Sequence, residues 1–412
     1  MTIPVATCTD LGDSVAAIAD RLTDPAVIGA SDDGRTHPQS LAGGAAGIAL
    51  LHLERAVSGY GDEALAHRWI RAAAAGPVST GPAANLFAGA PALALLLHNT
   101  ATTLGGYQRA AAVLEEQTTI LTRHRLSAAL TRLDTDAPLT MREFDLIHGL
   151  TGLGVYHLRR HPDAPITRDI LSYLVRLTAE REEPYGRPPW WLAEGLSGIL
   201  DARFPRGHGN LGVAHGMSAA TALLALAVLT GQHPPGAIDA LSRLCAWFDQ
   251  HRQSDDIIGA SWWPAYVTDD PAPPTPHRPS WCYGTAGTAR AQQLAGLALD
   301  DAVRCRRAEA AMVTAMRDPH QQTLLPEPGL CHGKGGLLQA AWRTATSSSS
   351  PDLASQLTTA IPQLADILAQ QLRMAPPKSP ELMDGAAGTA LALNTAYTGA
   401  ALTTWDAFLL LA

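Results

Sequence analysis

GTAGTARAQQLA, residues 284–295, sets two glycines three positions apart ahead of a run of small and apolar residues. The same pattern, with Ala sometimes in place of the second glycine, occurs six more times: GAAGIALLHL from Gly44, GAPALALLL from Gly89, GLTGLGVYHL from Gly149, GMSAATALLALA from Gly216, GKGGLLQAAW from Gly333 and GAAGTALAL from Gly385. Glycine spacing alone is weak, because Gly195 and Gly209 also begin Gly-x-x-Gly and are followed by charged or proline-broken chain. The recurrence together with the downstream run carries the signal. The steps of 45, 60, 67, 68, 49 and 52 residues are each long enough for two helices and two loops.

The runs after the glycines are apolar or small around their whole circumference, the mark of helices buried on all sides. The stretches between them carry apolar residues at the helical period, as in Val15, Ile18 and Leu22, or Leu364, Ile367, Leu368 and Leu372. Aromatic residues are only 5% of the chain, which weakens any case for strands. The expected fold is therefore all-α. Seven helix pairs, none able to cover its own apolar face, stack as an open solenoid or close into a ring. Closure makes an α/α toroid, a double barrel of seven inner and seven outer helices. The glycines would supply positive φ and close backbone approach where loops enter crowded inner helices. Because the repeat runs the length of the chain, residues 1–412 are expected to form a single domain, with longer loops or insertions around 157–210 and 250–280.

Composition narrows the function. A net charge of −8 and the absence of a long Lys/Arg run leave no electrostatic footprint for nucleic acid or an anionic membrane. No apolar stretch approaches a membrane span of roughly 20 residues. The N-terminus lacks the basic and apolar regions of a secretory signal. Five cysteines, scattered and odd in number, do not make a disulfide scaffold and suit the cytoplasm.

Aligned on the first glycine, the preceding position holds His148, His215, Tyr283, His332 and Asp384 in the third to seventh repeats, and one position earlier stand Cys282 and Cys331. In a ring these residues would converge on one mouth. Cys282, Cys331 and His332 then make a zinc set of two thiolates and an imidazole, with a fourth tetrahedral position left for water or substrate. Cys331 and His332 would diverge on a regular strand, so joint ligation requires an irregular turn. Cys8, Cys245 and Cys305 read as core. The proline-stiffened segment before Cys282 delivers His277 and Arg278 to it. PPWW (188–191) and SWWPAY (261–266) suit either a peptide groove or plugs between helices.

WCYG at 281–284, CHG at 331–333, AHG at 214–216 and the sevenfold glycine repeat together resemble the lanthionine synthetase C-like cyclases. The resemblance implies an α/α toroid with catalytic Zn²⁺ on Cys282, Cys331 and His332. It implies a lyase-class, stand-alone lanthipeptide cyclase, acting on a precursor peptide after a separate dehydratase has made dehydroalanine and dehydrobutyrine; an exporter is a further expected partner. It also matches the family's catalytic His to His215, its Arg to Arg278, its Tyr to Tyr283 and its acidic residue to Asp145. His148 has no role carried over. On this basis zinc would favour the substrate thiolate, which adds to the β-carbon of the dehydroamino acid. Arg278 or a protonated imidazole would stabilise the enolate. His215 would return a proton to the α-carbon, Asp145 would orient an imidazole and Tyr283 would position the substrate. The alternatives are addition of glutathione or another small thiol, and a non-catalytic zinc-containing scaffold.

Overall fold

A computed structural model describes residues 9–30, 38–179, 186–195, 198–255, 260–269 and 278–412. Cys8 and His277 lie outside the described residues. Helices in chain order are α1 (Thr9–Arg21), α2 (Ala45–Val57), α3 (Glu63–Ala73), α4 (Ala90–Thr103), α5 (Gln108–Thr135), α6 (Met141–Phe144), α7 (Leu150–Arg160) and α8 (Pro165–Leu177). They continue with α9 (Met217–Leu229), α10 (Ala237–His251), α11 (Thr285–Ala298), α12 (Ala302–Arg317), α13 (Pro319–Thr323), α14 (Lys334–Ser347), α15 (Pro351–Met374) and α16 (Ala386–Thr398). Each of the seven glycine runs begins a helix: α2, α4, α7, α9, α11, α14 and α16. The decoys at Gly195 and Gly209 do not.

The chain divides into two compact units, Met1–Thr118 with Ala315–Ala412, and Thr119–Thr314. In the first, α14, α16, α2 and α4 neighbour one another in that order, with α15 outside α14, α3 outside α2 and α1 outside α16. The last pairing joins the two ends of the described chain: Val15, Ile18 and Leu22 of the α1 segment are buried as their spacing predicts. In the second unit α7, α9 and α11 form a row, with α8 outside α7 and α10 outside α9. Residues 217–225 of α9 are all buried, so the helix has no solvent face until its last turn, whereas α8 and α10 bury one stripe.

A repeated backbone contact fixes the register of the inner helices. Val213 and Ala214 N–H donate to the Cys282 carbonyl at 2.9 and 3.3 Å, and Leu330 and Cys331 N–H donate to that of Met383 at 2.7 and 2.9 Å. Leu382 and Met383 N–H donate to Ala42, both at 3.1 Å, and Leu41 N–H donates to Phe87 at 2.8 Å. Every donor stands three or two positions before its first glycine, and every acceptor two positions before the next. These loops have no sheet to satisfy their buried amides, so neighbouring repeats satisfy one another. Where this contact is made, the residues just before the two glycines are thereby held at equivalent places.

The glycines act mainly through close approach, not through positive φ. Gly89 has φ +79, but Gly284 is extended at φ −155, a value any residue adopts. A Cβ on Gly284 would meet the Arg278 carbonyl oxygen at 2.1 Å, and one on Gly287 would meet the Trp281 carbonyl oxygen at 2.1 Å. Two further details depart from the sequence expectation. Ile367 is 48% exposed although Leu364, Leu368 and Leu372 are buried, because α15 packs a narrower stripe than the spacing suggested. Four strands of two or three residues, β1 (Gly209–Asn210), β2 (Gln253–Asp255), β3 (Ala260–Trp262) and β4 (Tyr266–Val267), pair antiparallel as β1 with β4 and β2 with β3. They ornament the long loops of a helical fold. No helix among the described residues is long and apolar enough to cross a membrane.

Candidate active site

Asp145 follows the single turn of α6 and is fully buried. Its Oδ1 accepts the N–H groups of His148 at 2.6 Å and Gly149 at 2.8 Å, which ties the loop into the start of α7. Its Oδ2 accepts from His215 Nδ1 at 2.5 Å and faces His148 Nδ1 at 3.3 Å. The two imidazoles stack with centroids 5.6 Å apart. Burial pushes the Asp145 carboxyl upward, but the hydrogen bonds and charge of His148 and His215 outweigh it and hold the group below the ordinary carboxylate value. Arg125 donates to the His148 carbonyl from behind the loop. The three ligand-type atoms of Asp145, His148 and His215 lie within 4.8 Å of one another. With Nδ1 committed to the carboxylate, His215 keeps Nε2 for a proton, and 18% of its side chain is exposed.

Tyr283 stacks beside His215, with centroids 6.3 Å apart, and packs on Tyr266 at 5.3 Å. Asn210 Nδ2 donates to the Tyr283 hydroxyl at 3.3 Å, and Asn210 Oδ1 accepts from Gly212 N–H at 3.0 Å. Burial, then the Tyr266 hydroxyl, raises the Tyr283 phenol well above its ordinary value, so it stays protonated. The hydrogen bonds from Val213 and Ala214 to the Cys282 carbonyl join the AHG and WCYG turns, which is why His215 and Tyr283 meet. Cys282 is 4% exposed, with its sulfur 3.6 Å from Ser280 Oγ.

Cys331 and His332 lie in the other compact unit, on the turn before α14. Both are half-buried, and the turn is the irregular backbone that adjacent donors need. His332 Nδ1 lies 3.3 Å from Asp384 Oδ1, the residue at the equivalent place one repeat later. Two thiols and an imidazole are the donor types of a zinc site. Arg278 is exposed; its carbonyl accepts from Ser280 N–H at 2.8 Å, and its side chain makes no ion pair among the described residues.

Sequence reasoning passed over Asn210 and gave Asp384 a place but no role. Asn210 carries no pattern that points to Tyr283. Asp384 stands in the alignment before Gly385, but its contact with His332 needs the register of adjacent repeats. Of the aromatic clusters, Trp190 is buried edge-on against Trp247 at 5.5 Å and Trp263 is buried. Trp190 and Trp247 also line a cleft of about 600 Å³ with Trp191, Arg187 and Arg243, so the tryptophans both fill gaps and face open space. Cys245 and Cys305 are buried, and burial raises both thiols to about 11, as expected of core cysteines.

Known proteins share this architecture. Nisin biosynthesis protein NisC of Lactococcus lactis subsp. lactis is 25% identical over 217 residues, 49% of this chain and 49% of that protein, so the match spans about half the length of the curated relative. The structure of nisin cyclase superposes with a TM-score of 0.77 at 19% identity, covering 97% of this chain and 96% of that one. The chain shares that structure's fold, which meets the expectation of an all-α protein. The family described as lanthionine synthetase C-like protein matches residues 35–410. The chain belongs to the lanthionine synthetase C-like family.

Proposed function

We propose that this protein is a zinc-dependent lanthipeptide cyclase, a lyase-class enzyme that forms (methyl)lanthionine rings within a dehydrated precursor peptide. The observation that most supports this is the hydrogen bond from His215 Nδ1 to the buried Asp145 at 2.5 Å. It fixes the tautomer that leaves Nε2 to deliver a proton. Residues 1–412 work as one domain in the cytoplasm, after a separate dehydratase and before an exporter.

Cys282, Cys331 and His332 would hold the zinc, which would supply a Lewis acid that keeps the substrate cysteine as thiolate at neutral pH. The thiolate sulfur bonds to the β-carbon of dehydroalanine or dehydrobutyrine, and the β-carbon's π electrons move toward the carbonyl. Arg278 offers charge to the enolate oxygen. His215 Nε2 gives its proton to the α-carbon, while Asp145 holds the imidazole in place. Tyr283, kept neutral by burial, positions the peptide as a hydrogen-bond donor. The proton lost by the thiol balances the one gained at carbon, so product mass equals substrate mass.

The test is incubation of purified protein with dehydrated precursor, followed by counting free thiols at unchanged mass. Wild type should hold one zinc per chain and consume thiols. Cys331→Ala should lose both properties; full cyclisation by that variant, or wild type without stoichiometric zinc, overturns the proposal. Adding glutathione to the assay separates ring formation from addition of an external thiol, which would raise the product mass.

A further inference from the structure

We infer that Asp384 is a positioning residue for His332, holding its Nδ1 so that Nε2 is presented to the metal. The inference rests on the zinc assignment above and adds a residue that no part of that assignment uses. Metal-ligating imidazoles nearly always give their second ring nitrogen to a carboxylate, carbonyl or water, which sets the tautomer and ring orientation. Here Asp384 Oδ1 lies 3.3 Å from His332 Nδ1.

The contact is built into the repeat. Leu330 and Cys331 N–H both donate to the Met383 carbonyl, at 2.7 and 2.9 Å, so the turn carrying His332 is bound to the residue next to Asp384. Asp384 in turn lies against the first turn residue of the same loop: a Cβ on Gly329 would meet its Cα at 2.7 Å. The same arrangement serves the other half of the chemistry, where Asp145 takes the Nδ1 of His215. Each imidazole assigned a task in this protein therefore has a carboxylate on Nδ1.

Side-chain exposures of 29% for His332 and 44% for Asp384 allow substitution without opening the core. Zinc affinity measured by chelator competition tests the inference, with melting of the zinc-free protein as the structural control. Asp384→Ala should bind zinc about 10–100-fold more weakly, leaving the melting temperature of the zinc-free protein unchanged. Asp384→Asn, which keeps an acceptor but not the charge, should fall between alanine and wild type, and Asp384→Glu should recover most of the affinity. Zinc affinity in Asp384→Ala within about twofold of wild type overturns the inference, as does a glutamate variant no better than alanine. A wild-type protein that binds no stoichiometric zinc overturns the zinc assignment itself, whereas normal wild-type binding with an unaffected Asp384→Ala overturns only the role of Asp384.

Discussion

Asp145 and Asp406 are both fully buried, and both are held below the ordinary carboxylate value against the effect of burial. Their partners differ. Asp406 accepts from Arg343 Nε at 2.7 Å and Nη2 at 2.6 Å, and from Gln339 at 2.6 Å. Asp145 accepts from two imidazoles and two backbone amides. A guanidinium is charged at every working pH, so Asp406 is committed to a permanent pair. Asp145 instead faces imidazoles, whose charge is not fixed in this way, and it is there that the proposed mechanism places its proton donor. Burial of a carboxylate thus says little by itself; the partner decides whether the site serves stability or reaction.

The largest effect should come from breaking the reactive side of this contrast. His215→Ala removes the proton donor and should slow cyclisation by about 10²–10⁴-fold, the usual contribution of a positioned acid. Its melting temperature should fall, because the fully buried Asp145 loses a close partner, so the rate is compared per folded molecule. Single-turnover rates with zinc-loaded protein read this out, and a loss under fivefold would remove His215 from the reaction.

Asp406→Ala attacks the other side. It leaves the half-buried Arg343 without its carboxylate and should cost about 3 kcal/mol of stability, measured by denaturant unfolding, with unchanged activity per folded molecule. The pH dependence follows from the direction of the shift. Because the folded value lies below the unfolded one, the pair's contribution is present above the ordinary carboxylate range and is lost as pH falls through the folded value. Stability between pH 5 and 3 should therefore fall less steeply in Asp406→Asn than in wild type, by up to about 1.4 kcal/mol per pH unit. Equal slopes would mean that Arg343 and Asp406 do not hold each other.

The inner helices and the candidate site were legible in the sequence to different depths. GTAGTARAQQLA and its six counterparts identify all seven inner helices, because a helix buried on every side leaves an unmistakable run of small and apolar residues. Aligning their glycines also singles out His148, His215, Tyr283 and His332, and for His215 with Tyr283, and for His332 with Asp384, backbone contacts between neighbouring repeats keep that register. Three things were not legible. Which glycine serves by positive φ and which by close approach was not readable, because sequence does not distinguish a crowded extended glycine such as Gly284 from a left-handed one such as Gly89. Ile367 fits the helical period but lies outside the stripe that α15 buries. Contacts between repeats, such as Asn210 with Tyr283, depend on loops that carry no periodicity.

Tyr283 offers the smallest and sharpest test, because its hydroxyl and its ring do different things. The ring stacks on His215 and lies tilted against Tyr266, and the hydroxyl accepts from Asn210 at 3.3 Å. Tyr283→Phe keeps the ring and should cost only about 0.5–1.5 kcal/mol, the worth of one neutral hydrogen bond, seen as a change of roughly tenfold or less in kcat/KM. If the hydroxyl only positions peptide, the loss should sit mainly in KM; a fall confined to kcat would make the phenol a proton donor in its own right. That outcome would move Tyr283 to the reactive side of the contrast, beside His215, and would leave Asp145 orienting one donor of two.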